Sequence, residues 1–100
     1  MKVYGGWLIR GRKWPDTGDD PHHTQVRAVM AAPSRAALRR GLAAHGVDVS
    51  DAFLRDYWDE TGNDDDIAAA LAEPGSLWIR SMHRWKEPSQ RVPPVDVSPP

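Results

Sequence analysis

The residues best suited to chemistry in this sequence lie in one short stretch rich in aspartate and histidine. Asp19, Asp20, His22 and His23 bring together two carboxylates and two imidazoles, which are side chains that bind Zn²⁺ or Ni²⁺. Neighbouring histidines on a loop rarely point at one ion, and no third ligand follows at a recognisable spacing. We therefore predict a solvated acidic loop with no metal and no cofactor, and His22 and His23 are the residues to test for metal binding.

Three further groups could carry chemistry but have simpler interpretations. The aspartates at residues 64–66 are expected to complement the dipole at the start of a helix. His45 is expected to bond the end of a helix, and His83 lies in a predicted strand. Catalysis requires a nucleophile with a base, or paired carboxylates in a pocket, and no spacing in the chain supplies either. The sequence therefore predicts a protein that is not an enzyme, with a loop site around His22 and His23 as the alternative.

Composition narrows the class of protein. The chain of 100 residues has no cysteine, which excludes disulfides, thiolate metal sites and a cysteine nucleophile. No run is apolar enough for a signal peptide or for the roughly 20 residues of a membrane span. Five tryptophans are expected to supply much of the core. We predict a cytoplasmic protein that does not contact a membrane.

Charge is distributed unevenly along the chain. Residues 1–46 carry eight basic and three acidic side chains, whereas residues 47–76 carry one basic and nine acidic side chains. Residues 77–100 carry four basic and two acidic ones, and the net charge is −1. Such asymmetry indicates separately charged faces, one of which is suited to meeting a partner.

These groups must be positioned by elements whose order is predicted as β-β-α-α-α-β. Alternating patterns predict strands over residues 3–10, 24–31 and 77–85, and helices are predicted to begin after Ser34, Ser50 and Asn63. Gly46 is expected to end the first helix. We predict an α+β fold in which a three-stranded antiparallel sheet carries the short helices on one face. Residues 1–85 would form this single domain, and the Pro-rich residues 86–100 a disordered tail.

The sheet could bind single-stranded nucleic acid through its second face. If the helices cover the face of Val3, Trp7 and Ile9, the opposite face of the sheet carries aromatic rings interleaved with arginines. Such rings can stack on bases, and the arginines can contact phosphates. Cross-strand pairing or a dimer seam would explain the same pattern. The residues of this face are Tyr4, Leu8, Arg10, Arg27, Trp78, Arg80, Met82 and Arg84.

The first two helices resemble a helix-turn-helix, with Gly46 at the turn. The second helix and the residues that follow it are acidic, which disfavours contact with phosphates and favours a basic protein. The acidic residues are Asp51, Asp56, Asp59 and Glu60. A contact with DNA would instead use Arg35, Arg39 and Arg40 on the first helix.

Two parts of the chain, about half of it, resemble short proteins encoded by actinobacteriophages. One is Tyr57-Trp58-Asp59-Glu60-Thr61-Gly62-Asn63 with Ile67-Ala68-Ala69-Ala70-Leu71-Ala72-Glu73-Pro74-Gly75-Ser76-Leu77-Trp78, and the other is Val29-Met30-Ala31-Ala32-Pro33-Ser34-Arg35-Ala36-Ala37. The resemblance implies a phage protein in a bacterial host cell and transfers no catalytic residue. The function predicted is a non-catalytic regulator that binds a host or phage protein. The alternative is a nucleic-acid-binding regulator that uses the sheet face or the helix pair.

Overall fold

A computed structural model describes residues 1–11, 14–15, 17, 24–61, 63–82 and 88–94. In this part of the chain three helices accompany a five-stranded antiparallel sheet with the strand order β3-β1-β2-β4-β5. The α+β class is confirmed, whereas the prediction of three strands is wrong. The elements are β1 (Lys2–Ile9), β2 (Gln25–Ala32), α1 (Arg35–Ala43), α2 (Asp51–Tyr57), β3 (Asp59–Glu60), α3 (Asp64–Ala72), β4 (Leu77–Ser81) and β5 (Gln90–Val92).

The two additional strands are the outermost ones and are too short to show a periodic pattern. β3 pairs Glu60 with Tyr4 and adds only two charged residues to the edge of β1. β5 lies within the predicted tail, yet Val92 is fully buried and pairs with Leu77. The disorder predicted from residue 86 onward therefore does not hold for Gln90–Val92, and the sheet extends past residue 85. The predicted strand over 77–85 ends at Ser81, and residues 83–87 lie outside the described part of the chain.

Helices pack on both faces of the sheet, not on one as predicted. Alternate residues of a strand point to opposite faces, so each strand divides its side chains between two cores. The larger core joins Tyr4 and Leu8 of β1 to Leu38 and Leu42 of α1 and to Leu54 of α2. The smaller core joins Val3, Val29 and Ala31 to Ala70 of α3, with Ile67 and Trp78 packed against it. In the described part of the chain both faces of β1 and β2 carry apolar side chains packed against helices, so the prediction of a single covered face is wrong.

The helix ends follow the local sequence as predicted. The hydroxyls of Ser34 and Ser50 accept bonds from the third residue beyond each, at 3.2 Å and 3.1 Å. The Asn63 side chain accepts from the amides of the next helix at 3.1 Å and 3.2 Å. Gly46 has φ +79°, and the amide of Val47 donates to the Leu42 carbonyl at 2.9 Å. This is the left-handed turn that glycine permits after a helix.

Close packing fixes the position of Trp58, the residue that follows α2. This tryptophan is fully buried, and its indole nitrogen donates to the Trp7 carbonyl at 3.2 Å. A side-chain carbon added to Gly6 would lie 2.5 Å from Cγ of the Trp58 ring. Glycine at this position therefore allows the ring to lie directly on β1.

The described helices include none that is long and apolar enough to cross a membrane.

Candidate functional site

An apolar cleft of about 310 Å³ lies beside the last residues of β1. Its walls come from the end of β1 and the segment after it, from the connection between α1 and α2, and from the first turn of α2. Among the described residues that line it, most side chains are apolar and Asp48 is the one acidic residue. The lining residues are Trp7, Leu8, Ile9, Gly11, Trp14, Gly46, Val47, Asp48, Val49 and Phe53.

β3 covers only part of the edge of β1, and the cleft is lined by residues of β1 beyond that part. The two residues of β3 pair with Tyr4 and Gly5, so they stop short of Trp7 and Ile9. The Trp7 carbonyl on this edge is instead bonded by the Trp58 indole. Ile9 keeps 58% of its surface exposed, which is unusual for a large apolar side chain in a strand.

Three aromatic rings form a continuous surface beside this cleft. The centroid of the Trp7 ring lies 5.2 Å from that of Phe53 and 5.8 Å from that of Tyr57, both in edge-to-face arrangements. Phe53 and Tyr57 are themselves 5.2 Å apart. Tyr57 is 55% exposed, so the cluster reaches from the cleft wall to solvent. We call Trp7, Ile9, Phe53 and Tyr57 the aromatic surface.

The connection between the first two helices places Asp48 at the cleft. After the turn at Gly46, Val47 and Val49 are half-buried and pack against the larger core, and Asp48 between them is exposed. This alternation is what an extended segment with one covered side produces. Asp48 forms no ion pair within the described residues, so its carboxylate is available to a ligand.

All four residues of the predicted acidic face are paired within the chain. These pairs are exposed, and surface ion pairs of this kind contribute only about 0–1 kcal/mol. The predicted face is therefore closer to neutral than its sequence indicates. The pairs are Asp51 with Arg39 at 3.3 Å, Asp56 with Arg55 at 3.4 Å, Asp59 with Arg35 at 3.8 Å and Glu60 with Lys2 at 3.3 Å.

The residues of the predicted sheet surface for nucleic acid are not brought together on an open face. Tyr4 is 4% exposed beneath α1, so it cannot stack on a base, and Leu8 is buried in the same core. Arg10 donates to the Pro15 carbonyl at 2.7 Å and to the Thr17 hydroxyl. Trp78 is half-buried, and its indole donates to Ser76 at 2.8 Å. Tyr4 and Leu8 thus lie on the opposite face from Trp78, which contradicts the predicted grouping.

Arginines on α1 have different surroundings. Arg35 donates to the carbonyls of Leu54 at 2.9 Å and Trp58 at 2.6 Å, and its guanidinium lies 5.4 Å from the centroid of the Tyr4 ring. Arg35 thus ties α1 to the end of α2. Arg39 pairs with Asp51, whereas Arg40 is exposed. Of the three, Arg40 alone is left to contact a phosphate without breaking a described bond.

A second cleft, of about 230 Å³, lies on the α3 side of the sheet and contains Arg27 and Arg80. These arginines are opposite one another on β2 and β4. Arg80 is 8% exposed and forms an ion pair with Asp66, which is 1% exposed and also accepts from Ser89 at 2.7 Å. This network joins α3, β4 and the segment before β5. Arg27 donates to Thr61 at 3.4 Å.

Other candidates fall partly outside the described residues. His22, His23 and Arg84 are not among them, and neither is His83. Within the described part of the chain, no group of three histidine, aspartate or glutamate side chains could hold a metal ion. His45 is buried, and its Nδ1 lies 2.9 Å from the Gly41 carbonyl, so it bonds the end of α1 as predicted.

The cleft and its aromatic surface were not found from the sequence. The alternating pattern of the first strand places Trp7 and Ile9 on a face predicted to be covered by helices. The available signal was the Val47-Asp48-Val49 alternation, because it leaves a single acid exposed beside apolar neighbours.

No match is found when the chain is compared with the models of known protein families, with curated proteins or with solved structures.

Proposed function

We propose that this chain is a non-catalytic interaction protein that binds a protein partner through the aromatic surface. The observation that carries the proposal is the exposure of Ile9 (58%) and Tyr57 (55%) beside the rings of Trp7 and Phe53. Contiguous exposed apolar surface at a cleft is typical of interaction sites. Aromatic side chains are also enriched in protein interfaces, where they supply large contact areas.

The acidic residues fit the same surface as a polar rim. Asp51 and Asp56 lie on α2 with Phe53 and Tyr57, and Asp59 and Glu60 follow directly in β3. Their present pairs are exposed and weak, so a partner with basic side chains can replace them at little cost. Rim charges of this kind contribute mainly to the rate and selectivity of association.

The biological setting is a proposal from the sequence. The resemblance to actinobacteriophage proteins supports a regulator that acts on a host or phage protein in the bacterial cytoplasm. Fewer observations support the nucleic-acid alternative. Arg35, Arg39 and Arg80 form hydrogen bonds or ion pairs within the chain, and Tyr4 is buried.

The proposal is tested by affinity capture from a nuclease-treated lysate of an actinobacterial host. Wild type is compared with Ile9→Asp and Tyr57→Asp, which place a charge on the aromatic surface without changing a buried residue. We expect a protein that the wild type retains and both variants lose. Leu71→Asp is the matched control, because Leu71 is 45% exposed on α3 and is not among the residues that line the cleft.

Two outcomes would contradict the proposal. Identical capture by wild type, Ile9→Asp and Tyr57→Asp would exclude the aromatic surface as the contact. Capture that occurs in an untreated lysate and disappears in the nuclease-treated one would instead indicate nucleic acid as the partner. That binding should weaken steeply as salt is raised, because phosphate contacts release counterions.

A further inference from the structure

The cleft beside the aromatic surface combines two features that together select a cation. Trp7, Trp14 and Phe53 are aromatic residues of its lining, and Asp48 is the acidic one among the described lining residues. The face of an aromatic ring attracts an ammonium or guanidinium group, most strongly for tryptophan. A carboxylate beside such rings adds a full negative charge, and Asp48 has no ion-pair partner within the described residues.

The remaining walls suit the stem of a long basic side chain. Leu8, Val47 and Val49 are apolar and contribute no charge. Lysine buries its methylene groups along apolar surface while its ammonium group seeks polar partners. A volume of about 310 Å³ is at the small end of the range for ligand pockets, so the cleft holds one side chain more readily than a folded segment.

We infer that the cleft accepts the alkylammonium side chain of a lysine on the partner protein. The inference rests on the proposed function, because the aromatic surface around the cleft is what makes the ligand part of a protein. The lysine stem would lie against Leu8, Val47 and Val49. Its ammonium group would contact the rings and Asp48. The weakly paired acids Asp51 and Asp56 on α2 would favour further basic residues beside that lysine.

The preference of the cleft for a cation is tested by NMR titration of the full chain at constant ionic strength. The two ligands are n-butylammonium and its neutral isostere 1-butanol. The indole N–H signals of Trp7 and Trp14 report on the cleft. We expect both to shift saturably with butylammonium and several-fold more weakly with butanol. A peptide of acetyl-Gly-Lys-Gly-amide should shift the same signals, whereas its norleucine counterpart should not.

Asp48→Asn supplies the decisive variant. We expect it to weaken butylammonium binding about five-fold, the effect of one exposed ion pair, and to leave butanol binding unchanged. Asp64→Asn is the matched control, because Asp64 is an exposed carboxylate at the start of α3 and gives the same change in net charge. It should leave butylammonium binding as in wild type.

The inference is overturned by any of three results. These are equal binding of butanol and butylammonium, equal effects of Asp48→Asn and Asp64→Asn, and indole signals that do not move. None of these results affects the capture experiment with Ile9→Asp and Tyr57→Asp. A protein partner that depends on the aromatic surface but not on Asp48 would leave the proposed function standing and remove only the lysine.

Discussion

Arg35 joins the start of α1 to the end of α2. Its position on α1 beside Arg39 and Arg40 suggested contact with DNA. In the fold its guanidinium bonds two carbonyl oxygens at the end of α2 and lies over the Tyr4 ring. Cations stabilise the C-terminus of a helix because they satisfy its last carbonyls and complement its dipole. Arg35 is therefore a structural residue.

We expect Arg35→Ala to lower the free energy of unfolding by about 2 kcal/mol, because it removes charge-assisted bonds to two partly buried carbonyls. Arg40→Ala is the matched variant on the same helix, and it should change stability by less than about 0.5 kcal/mol. Urea denaturation followed by tryptophan fluorescence measures both. Equal effects of the two substitutions would show that the bonds of Arg35 are not significant for stability.

At the level of elements, α3 contacts the sheet through a polar network as well as through the smaller apolar core. Asp66 in the first turn of α3 accepts from Arg80 of β4 and from Ser89. The carboxylate also complements the positive end of the helix dipole. Sequence alone indicated only the dipole role, since the partner of Asp66 lies beyond a turn and on another element.

Asp66→Ala is expected to destabilise the protein by roughly 3 kcal/mol, because it removes the carboxylate that pairs with a buried guanidinium. The double variant Asp66→Ala/Arg80→Met should cost less than the sum of its single substitutions, since neither partner is then left behind. A double-mutant cycle from urea denaturation gives the coupling. Additivity within about 0.5 kcal/mol would contradict a direct interaction.

Considered as a whole, the molecule completes its sheet with a strand from the Pro-rich segment. Val92 of β5 is fully buried in the larger core, and neighbouring Arg91 forms a two-point ion pair with Glu73 at 2.8 Å and 2.9 Å. Gln90–Val92 thus form a strand within residues 86–100, the segment predicted to be a disordered tail. Pro93 and Pro94 follow β5 directly and limit its length, because proline cannot donate to a strand neighbour.

Val92→Ala should lower the free energy of unfolding by about 2 kcal/mol, as expected for shortening a buried side chain. Arg91→Ala, in the same strand, should cost less than about 1 kcal/mol because its ion pair is half exposed. Thermal and urea unfolding of the two variants provides the comparison. No effect of Val92→Ala would place β5 outside the cooperative unit.

Sequence patterns were sufficient for the parts of the fold that local physics controls. The caps at Ser34, Ser50 and Asn63 and the stop at Gly46 depend on residues within one turn of each helix, so the sequence shows them directly. β3 and β5 depend on pairing with residues distant in sequence, and their few residues carry no period. The cleft was missed for the same reason, because its walls come from segments that are distant in sequence.

The strand order β3-β1-β2-β4-β5 also bears on how fast the chain folds. Tyr4 pairs with Glu60 and Val29 with Trp78, so these pairings form only after long segments have been closed into loops. Chains dominated by such distant pairings fold in milliseconds to seconds, whereas helical bundles of similar size fold in microseconds to milliseconds. Until β1 and β3 meet, Trp58 has no ordered strand to lie on, and its ring remains in water. Burial of the Trp58 ring therefore accompanies the step that closes this sheet.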